Sequence, residues 1–197
     1  SFYVVSQAAR IKQNQRYITS GALATMGFAL PAAIGVSFAS YMGYVAAITG
    51  DGSFNQNPQE LAVVAYHKLP IKLFVTDNNG YISIRDTQKK IFNNHFVGES
   101  PKSGLYFPDL ELVSRAYGIQ YLLIDSLKAL EEKLPVIFSD SSPMVIDVKV
   151  DKDQKIAPRD SAVILDDGRI VSKPLEDMYP FLLDDEFHEN MKIKSLR

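Results

Sequence analysis

Four short apolar runs punctuate the chain, at 45–49, 71–76, 119–124 and 144–150, and none alternates cleanly between apolar and polar residues. That is the pattern of strands covered on both faces. Segments of helix length separate the runs. In Asn57-Pro58-Gln59-Glu60-Leu61, Asn57 can serve as N-cap, Pro58 as first helical residue and Glu60 as reciprocal capping acid. Leu61, Val64 and Ala65 give that helix an apolar face, and Leu69-Pro70 ends it. A second helix is predicted over 108–117, with Leu110, Val113 and Tyr117 inward and Gly118 as its stop. A third begins after Ser126, with Leu127, Leu130 and Leu134 at helical spacing ahead of Pro135. The longest apolar stretch, 22–39, is broken by Thr25, Gly27, Pro31, Gly35 and Ser37. It predicts a buried helix, since a membrane span needs about 20 predominantly apolar residues.

Strands alternating with helices predict an α/β fold, a parallel sheet with helices on both faces. Ligands of such sheets bind outside the carboxyl ends of the strands. Residues 81–107, rich in Asn, Gly and Ser, are expected to form an irregular loop over that end. From 151 the pattern gives way to charged residues with Pro158, Pro174 and Pro180. The expected organisation is a binding domain at 1–150 and an irregular C-terminal tail at 151–197.

Composition narrows the function classes. With 197 residues, 46% of them hydrophobic, the chain can bury a core without crosslinks. The absence of Cys rules out disulfides, thiolate zinc sites and Cys nucleophiles, and agrees with a reducing, cytoplasmic compartment. The 21 basic against 23 acidic residues leave a net charge of -2, so neither nucleic acid nor membrane is an expected partner. No signal-peptide pattern precedes the domain, and an opening at Ser1-Phe2-Tyr3 without Met leads us to expect part of something longer.

The chemistry concentrates in Gly50-Asp51-Gly52-Ser53 at the end of the first run and Asn78 at the end of the second. On neighbouring parallel strands both tips emerge at one edge, where a carboxylate and an amide oxygen are hard ligands suited to Mg²⁺. Gly50 and Gly52 let a phosphate approach the main chain, and the N–H groups of Gly52 and Ser53 can donate to it. Gly-Asp-Gly alone is equally a plain turn. His67 reads as a helix C-terminal cation, His95 as a surface loop residue and His188 as solvent-exposed. Arg85 fits a substrate carboxylate or an ordinary salt bridge.

The ordered set Gly50-Asp51-Gly52, capped helix, strand and Asn78-Asn79-Gly80-Tyr81 resembles the thiamine diphosphate and Mg²⁺ motif. The surrounding sequence resembles acetohydroxyacid (acetolactate) synthase large subunits, and the run from Thr19 through Ala24, Met26 and Pro31 to Gly35 is similar to that family's cofactor loop and helix. The resemblance covers roughly residues 16–150. It implies a thiamine diphosphate-binding fold in which Asp51, the Asn78 side chain and the Gly80 carbonyl hold Mg²⁺. Gly52 and Ser53 would hold the diphosphate, with Gly50 and Tyr81 also at the cofactor. Met26, the implied catalytic residue, would prop the cofactor in its bent form. Ala24, usually Gly, would offer its carbonyl to the aminopyrimidine.

The implied reaction is decarboxylation of a 2-oxo acid such as pyruvate and transfer of the acyl carbanion to a carbonyl acceptor. Flavin (FAD), where bound, is expected off this domain. The family's activating Glu lies in an amino-terminal pyrimidine-binding domain, usually of a partner subunit, so this chain reads as half an active site within a homodimer or homotetramer. Glu60 reads as a helix cap, and Glu99 has no evident partner. Two departures from the resembled family bear on substrate: with Gly80-Tyr81 as the anchor, Asp77 stands where the first Asn of its pair often lies, an extra carboxylate expected beside Mg²⁺ or toward solvent, and Thr87 stands where it often has an acceptor-selecting Trp. The alternatives are another decarboxylase, lyase or carboligase, or a non-catalytic assembly domain. A nicotinamide-binding domain is disfavoured by the lack of Gly-x-Gly-x-x-Gly.

Overall fold

A computed structural model of the chain describes residues 2–41 and 43–192, in two units divided between Gln154 and Lys155. The first unit opens with α1 (Phe2–Ala8) and α2 (Ala29–Ala39), followed by β1 (Val45–Gly50), the single turn α3 (Asp51–Phe54) and α4 (Leu61–His67). Next come β2 (Ile71–Asp77), α5 (Ile82–Ile91), α6 (Leu110–Ala116), β3 (Gln120–Ile124), α7 (Leu127–Ile137) and β4 (Met144–Lys149). The four strands pair in parallel in the order β1-β2-β4-β3. All four runs seen in the sequence are strands, and the α/β class is realised.

Strand alternation divides the core. On one face Ala47, Leu73, Val75 and Val145 pack with Leu30 and Ala33 of α2, Leu61 and Val64 of α4 and Leu110 and Val113 of α6. On the other, Phe74, Leu122, Ile124, Met144 and Ile146 pack with Leu130, Leu134 and Ile137 of α7. The expectation of strands covered on both faces fails for β1. Ala47 and Thr49 are buried while Ala46 and Ile48 are exposed, because β1 ends the sheet and α7 does not reach it.

Three further expectations need correction. The 22–39 stretch is not one buried helix: a 3-10 turn at Gly21–Leu23 and Gly27, in a left-handed conformation (φ +80°), precede α2, and only Leu30, Ala33 and Ser37 of α2 are buried. Asn57 does not cap its helix, which starts as a 3-10 turn (Pro58–Glu60); its amide instead donates to the Gly27 carbonyl at 2.6 Å. A tertiary acceptor has won over the local one. Residues 81–107 are not irregular throughout, since α5 occupies 82–91 and Pro101–Ser103 is a 3-10 turn. The Asn and Gly residues that suggested a loop sit in the flanking turns, with Asn79, Asn93, Asn94 and Gly98 at positive φ. Lys89 and Lys90 suit the last helical turn.

In the second unit, β5 (Ala162–Ile164) and β6 (Ile170–Ser172) form an antiparallel hairpin whose turn uses Gly168 at φ +83°. After a non-regular stretch, α8 (Asp184–Asn190) carries three acids in its first turn. The tail is thus largely irregular with a few short elements.

Candidate functional site

β1 and β2 are in register from Val45↔Ile71 to Gly50↔Thr76, so Asp51 and Asp77 leave the carboxyl edge side by side. The Asp51 carboxylate is buried, accepting the Gly52 N–H at 2.7 Å through Oδ1 and the Gly80 N–H at 3.0 Å through Oδ2. The second bond joins the two separated motif segments. Burial pushes Asp51 up to about 6, against the two N–H groups that stabilise its charge and with help from neighbouring Asp77. Half-buried Asn78 lies between Asp77 and the Gly80 turn. Both glycines are sterically required. A Cβ on Gly52 would fall inside the Tyr81 ring, and one on Gly80 (φ +150°) would meet the Glu99 carbonyl.

Behind Asp51 lies a polar cavity of about 260 Å³, bordered by Asp77, Tyr121, Asp147, Lys149 and the start of α6. Lys149 pairs with Asp77 and, at 2.9 Å, with Asp147, and the Tyr121 hydroxyl donates to Asp147 at 2.9 Å. Asp77 is turned toward this cluster, and although burial opposes it, Lys149 and the Asn79 N–H hold its carboxyl below the usual range. Lys149 is likewise raised by its two carboxylates against the cost of burial. The sequence reading missed this cluster. Its signal was present in β4, where Val145, Asp147 and Lys149 share one face and charges replace the apolar residues toward the carboxyl end.

The upstream loop reaches the same edge. The Gly27 N–H donates to Ser53 Oγ at 2.9 Å, and Asn57 holds the Gly27 carbonyl. Met26, beside it, is 43% exposed and absent from the core. Ala24 adopts a left-handed conformation (φ 47°) in closing the 3-10 turn, a strained position that a Gly would occupy at ease. Gly50, Asp51, Gly52, Ser53, Asn78, Gly80 and Tyr81 therefore gather at one edge. Ala24 and Met26 stand on the loop tied to it through Gly27.

The remaining candidates have structural partners. Arg85 and Glu99, both buried, form an ion pair at 2.5 Å, so Arg85 takes the salt-bridge role and Glu99 is not without a partner. Although its burial works the other way, bonds from Ser100 and Arg85 hold the Glu99 carboxyl below its usual range. His67 ends α4 with its ring edge-on to Phe38 and Tyr66. His95 lies in an exposed turn, and exposed His188 lies in α8. Thr87 is on the exposed side of α5, its hydroxyl donating to the Ser83 carbonyl at 3.0 Å.

The donor set fits a magnesium-bound diphosphate. Among the described residues no group of three His, Cys, Asp or Glu could hold a metal alone. The oxygens available are one carboxylate, one amide and one carbonyl, which leaves positions for phosphate oxygens. Asp51 is buried while the nearby ammonium of Lys149 is spent on Asp77 and Asp147, so a cation would relieve its burial. In a diphosphate-binding role the Gly52 N–H would exchange its bond to Asp51 for one to phosphate.

Comparison with known proteins shows the family to which the chain belongs. Residues 2–148 match the family described as thiamine pyrophosphate enzyme, C-terminal TPP binding domain. Acetolactate synthase of Arthrospira platensis is 33% identical over 153 residues, 77% of this chain and 26% of the relative. The acetolactate synthase large subunit of Lactococcus lactis subsp. lactis (strain IL1403) is 33% identical over 157 residues, 78% of the chain and 26% of the relative. The isozyme 2 large subunit of Escherichia coli (strain K12) is 32% identical over 144 residues, 73% and 26%. The chain spans about a quarter of the length of these relatives. Among the described residues no helix is long and apolar enough to cross a membrane.

Proposed function

The chain belongs to the thiamine pyrophosphate enzyme family, as its C-terminal TPP-binding domain, and from that premise we propose that it holds thiamine diphosphate through Mg²⁺ in an acetolactate synthase-like enzyme. Asp51, the Asn78 amide oxygen and the Gly80 carbonyl are the proposed metal ligands. The observation that carries this reading is the Asp51–Gly80 hydrogen bond at 3.0 Å, which draws a buried carboxylate against the turn bearing the other two donors.

When bound, the cofactor supplies the carbanion-stabilising chemistry that lets a 2-oxo acid such as pyruvate lose carbon dioxide and pass its acyl unit to a carbonyl acceptor. This chain binds and orients. Gly52 and Ser53 approach the diphosphate with their N–H groups, and the bare Cα of Gly52 lets Tyr81 close over the turn. Met26 supports the cofactor's bend from a loop held by Ser53 and Asn57, and Ala24 offers its carbonyl. The exposed apolar side chains of Leu23, Met26 and Phe28 suit a facing pyrimidine-binding domain within a homodimer or homotetramer. Calorimetry on the full-length protein tests the reading. Thiamine diphosphate binding should require Mg²⁺ and collapse in Asp51→Ala, and Mg²⁺-dependent binding that survives Asp51→Ala would sink it.

Thr87 favours a second reading of the acceptor. On an exposed helix face and in place of the acceptor-selecting Trp that the family resemblance implies, it leaves room for a carbonyl compound other than a 2-oxo acid.

A further inference from the structure

We propose that Arg85 and Glu99 are positioning residues for the proposed metal site, setting the direction of the Gly80 carbonyl rather than meeting substrate. The inference rests on the reading of Gly80 as a metal ligand. Its basis is the wrapping of the 79–81 turn by these two residues, through side chain and main chain together, on the flank that Asp51 does not occupy.

Arg85 reaches three segments at once. Nε donates to Glu99 Oε2 at 2.5 Å, Nη1 to the Lys152 carbonyl at 2.6 Å and Nη2 to the Asn79 carbonyl at 3.4 Å. Its main-chain N–H donates to the Tyr81 carbonyl at 2.9 Å. Glu99 holds the same turn from the other strand of the loop, its carbonyl accepting the Tyr81 N–H at 2.8 Å. The Glu99 carboxylate is fixed in turn by the hydroxyls of Ser100 and Ser103. Gly80 is therefore pressed between Asp51, which takes its N–H, and the Glu99 main chain and Arg85 guanidinium, which leave no room for a Cβ.

With the peptides on both sides of Gly80 tied, its carbonyl has little freedom to turn. The Arg85 and Glu99 side chains are only 9% and 7% exposed, so neither is presented to a substrate carboxylate. A buried pair of this kind is weak as a source of net stability and better suited to fixing geometry. Groups that orient metal ligands without touching the metal typically contribute about 10–100-fold to affinity.

The test uses the full-length protein with thiamine diphosphate present and reads two quantities that turnover does not enter. These are the Mg²⁺ dissociation constant by calorimetry and the electron paramagnetic resonance spectrum of Mn²⁺ substituted for Mg²⁺. Glu99→Gln and the apolar double variant Arg85→Met with Glu99→Leu are compared with the unsubstituted protein, Asp51→Ala serving as the site control. Should Glu99→Gln fail to fold, the double variant, which leaves no unpaired buried charge, decides. We expect Mg²⁺ binding weakened about 10–100-fold and a changed Mn²⁺ spectrum in both variants, with the melting temperature of the metal-free protein lowered in Glu99→Gln and unchanged in the double variant. A folded double variant with unsubstituted Mg²⁺ affinity and an unaltered spectrum would overturn the positioning role. No Mg²⁺ dependence in the unsubstituted protein would instead remove the metal-site reading, and the inference with it.

Discussion

Ser53 and Gly27 are joined by a hydrogen bond of 2.9 Å from the Gly27 N–H to the Ser53 hydroxyl, so the turn after Asp51 also fixes the loop that carries Met26. Ser53→Ala removes this acceptor and leaves a part-buried donor unpaired, which costs about 1–3 kcal/mol. We expect Ser53→Ala to lower the unfolding free energy by that order and to lower kcat. Ser53→Thr, which keeps the hydroxyl, should recover most of both. Denaturant unfolding and steady-state kinetics on the full-length protein check this, and Ser53→Thr behaving like Ser53→Ala would speak against the bond.

Met26 is expected to affect cofactor shape more than cofactor affinity or stability. A core Met replaced by Ala costs about 2–5 kcal/mol, but Met26 is 43% exposed and has little packing to lose. Met26→Ala should therefore reduce kcat while shifting the melting temperature only slightly. A large loss of stability with normal turnover would return Met26 to a packing role.

The pH dependence of Asp51 has a definite sign. Its folded value of about 6 lies above its ordinary 3.8, so the metal-free folded state binds the proton more tightly than the unfolded chain. The stability contributed by this group is fully present below 3.8 and is lost as pH rises through about 6. Metal binding runs the other way, because a protonated carboxyl is a poor ligand. Mg²⁺ affinity should fall as pH drops through about 6. Without metal, a pH melting series should show unsubstituted protein losing stability relative to Asp51→Asn across that window.

Thr87 should make the full-length enzyme a poor discriminator between pyruvate and 2-oxobutanoate as acceptors. An apolar pocket distinguishes one methylene by about 1–3 kcal/mol, or roughly 10–200-fold, and the methyl of Thr87 offers little of the area of an indole. Competition between the two acids measures it. Thr87→Trp should shift the ratio toward 2-oxobutanoate, and a strong preference already present with Thr87 would assign selection to another residue.

How far the sequence could be read depends on the range of the interactions involved. The four strands and α7 rest on local periodicity and on caps such as Ser126, whose hydroxyl accepts the Ala129 N–H as its position suggests. The site glycines were legible because chain order alone carried their motif. Asn57 misled because its competing partner, Gly27, is 30 residues away. Arg85 and Glu99 were opaque for the same reason: each is an ordinary polar residue until a loop brings the two together. α5 was hidden by Asn and Gly residues that belong to its flanks. Asp77, Asp147 and Lys149 come together only through the β2–β4 register, which no local pattern encodes.

The strand that leads into Asp51 is also a margin of the sheet. Among the described residues β1 pairs with β2 alone, and along its other side the backbone groups have no strand to bond. Such margins invite further strands, whether from the same polypeptide or from another copy. Here the invitation sits directly beneath the proposed ligand, so a strand added to β1 would brace the aspartate from below. Pairing at that margin would therefore bear directly on the turn that holds Asp51.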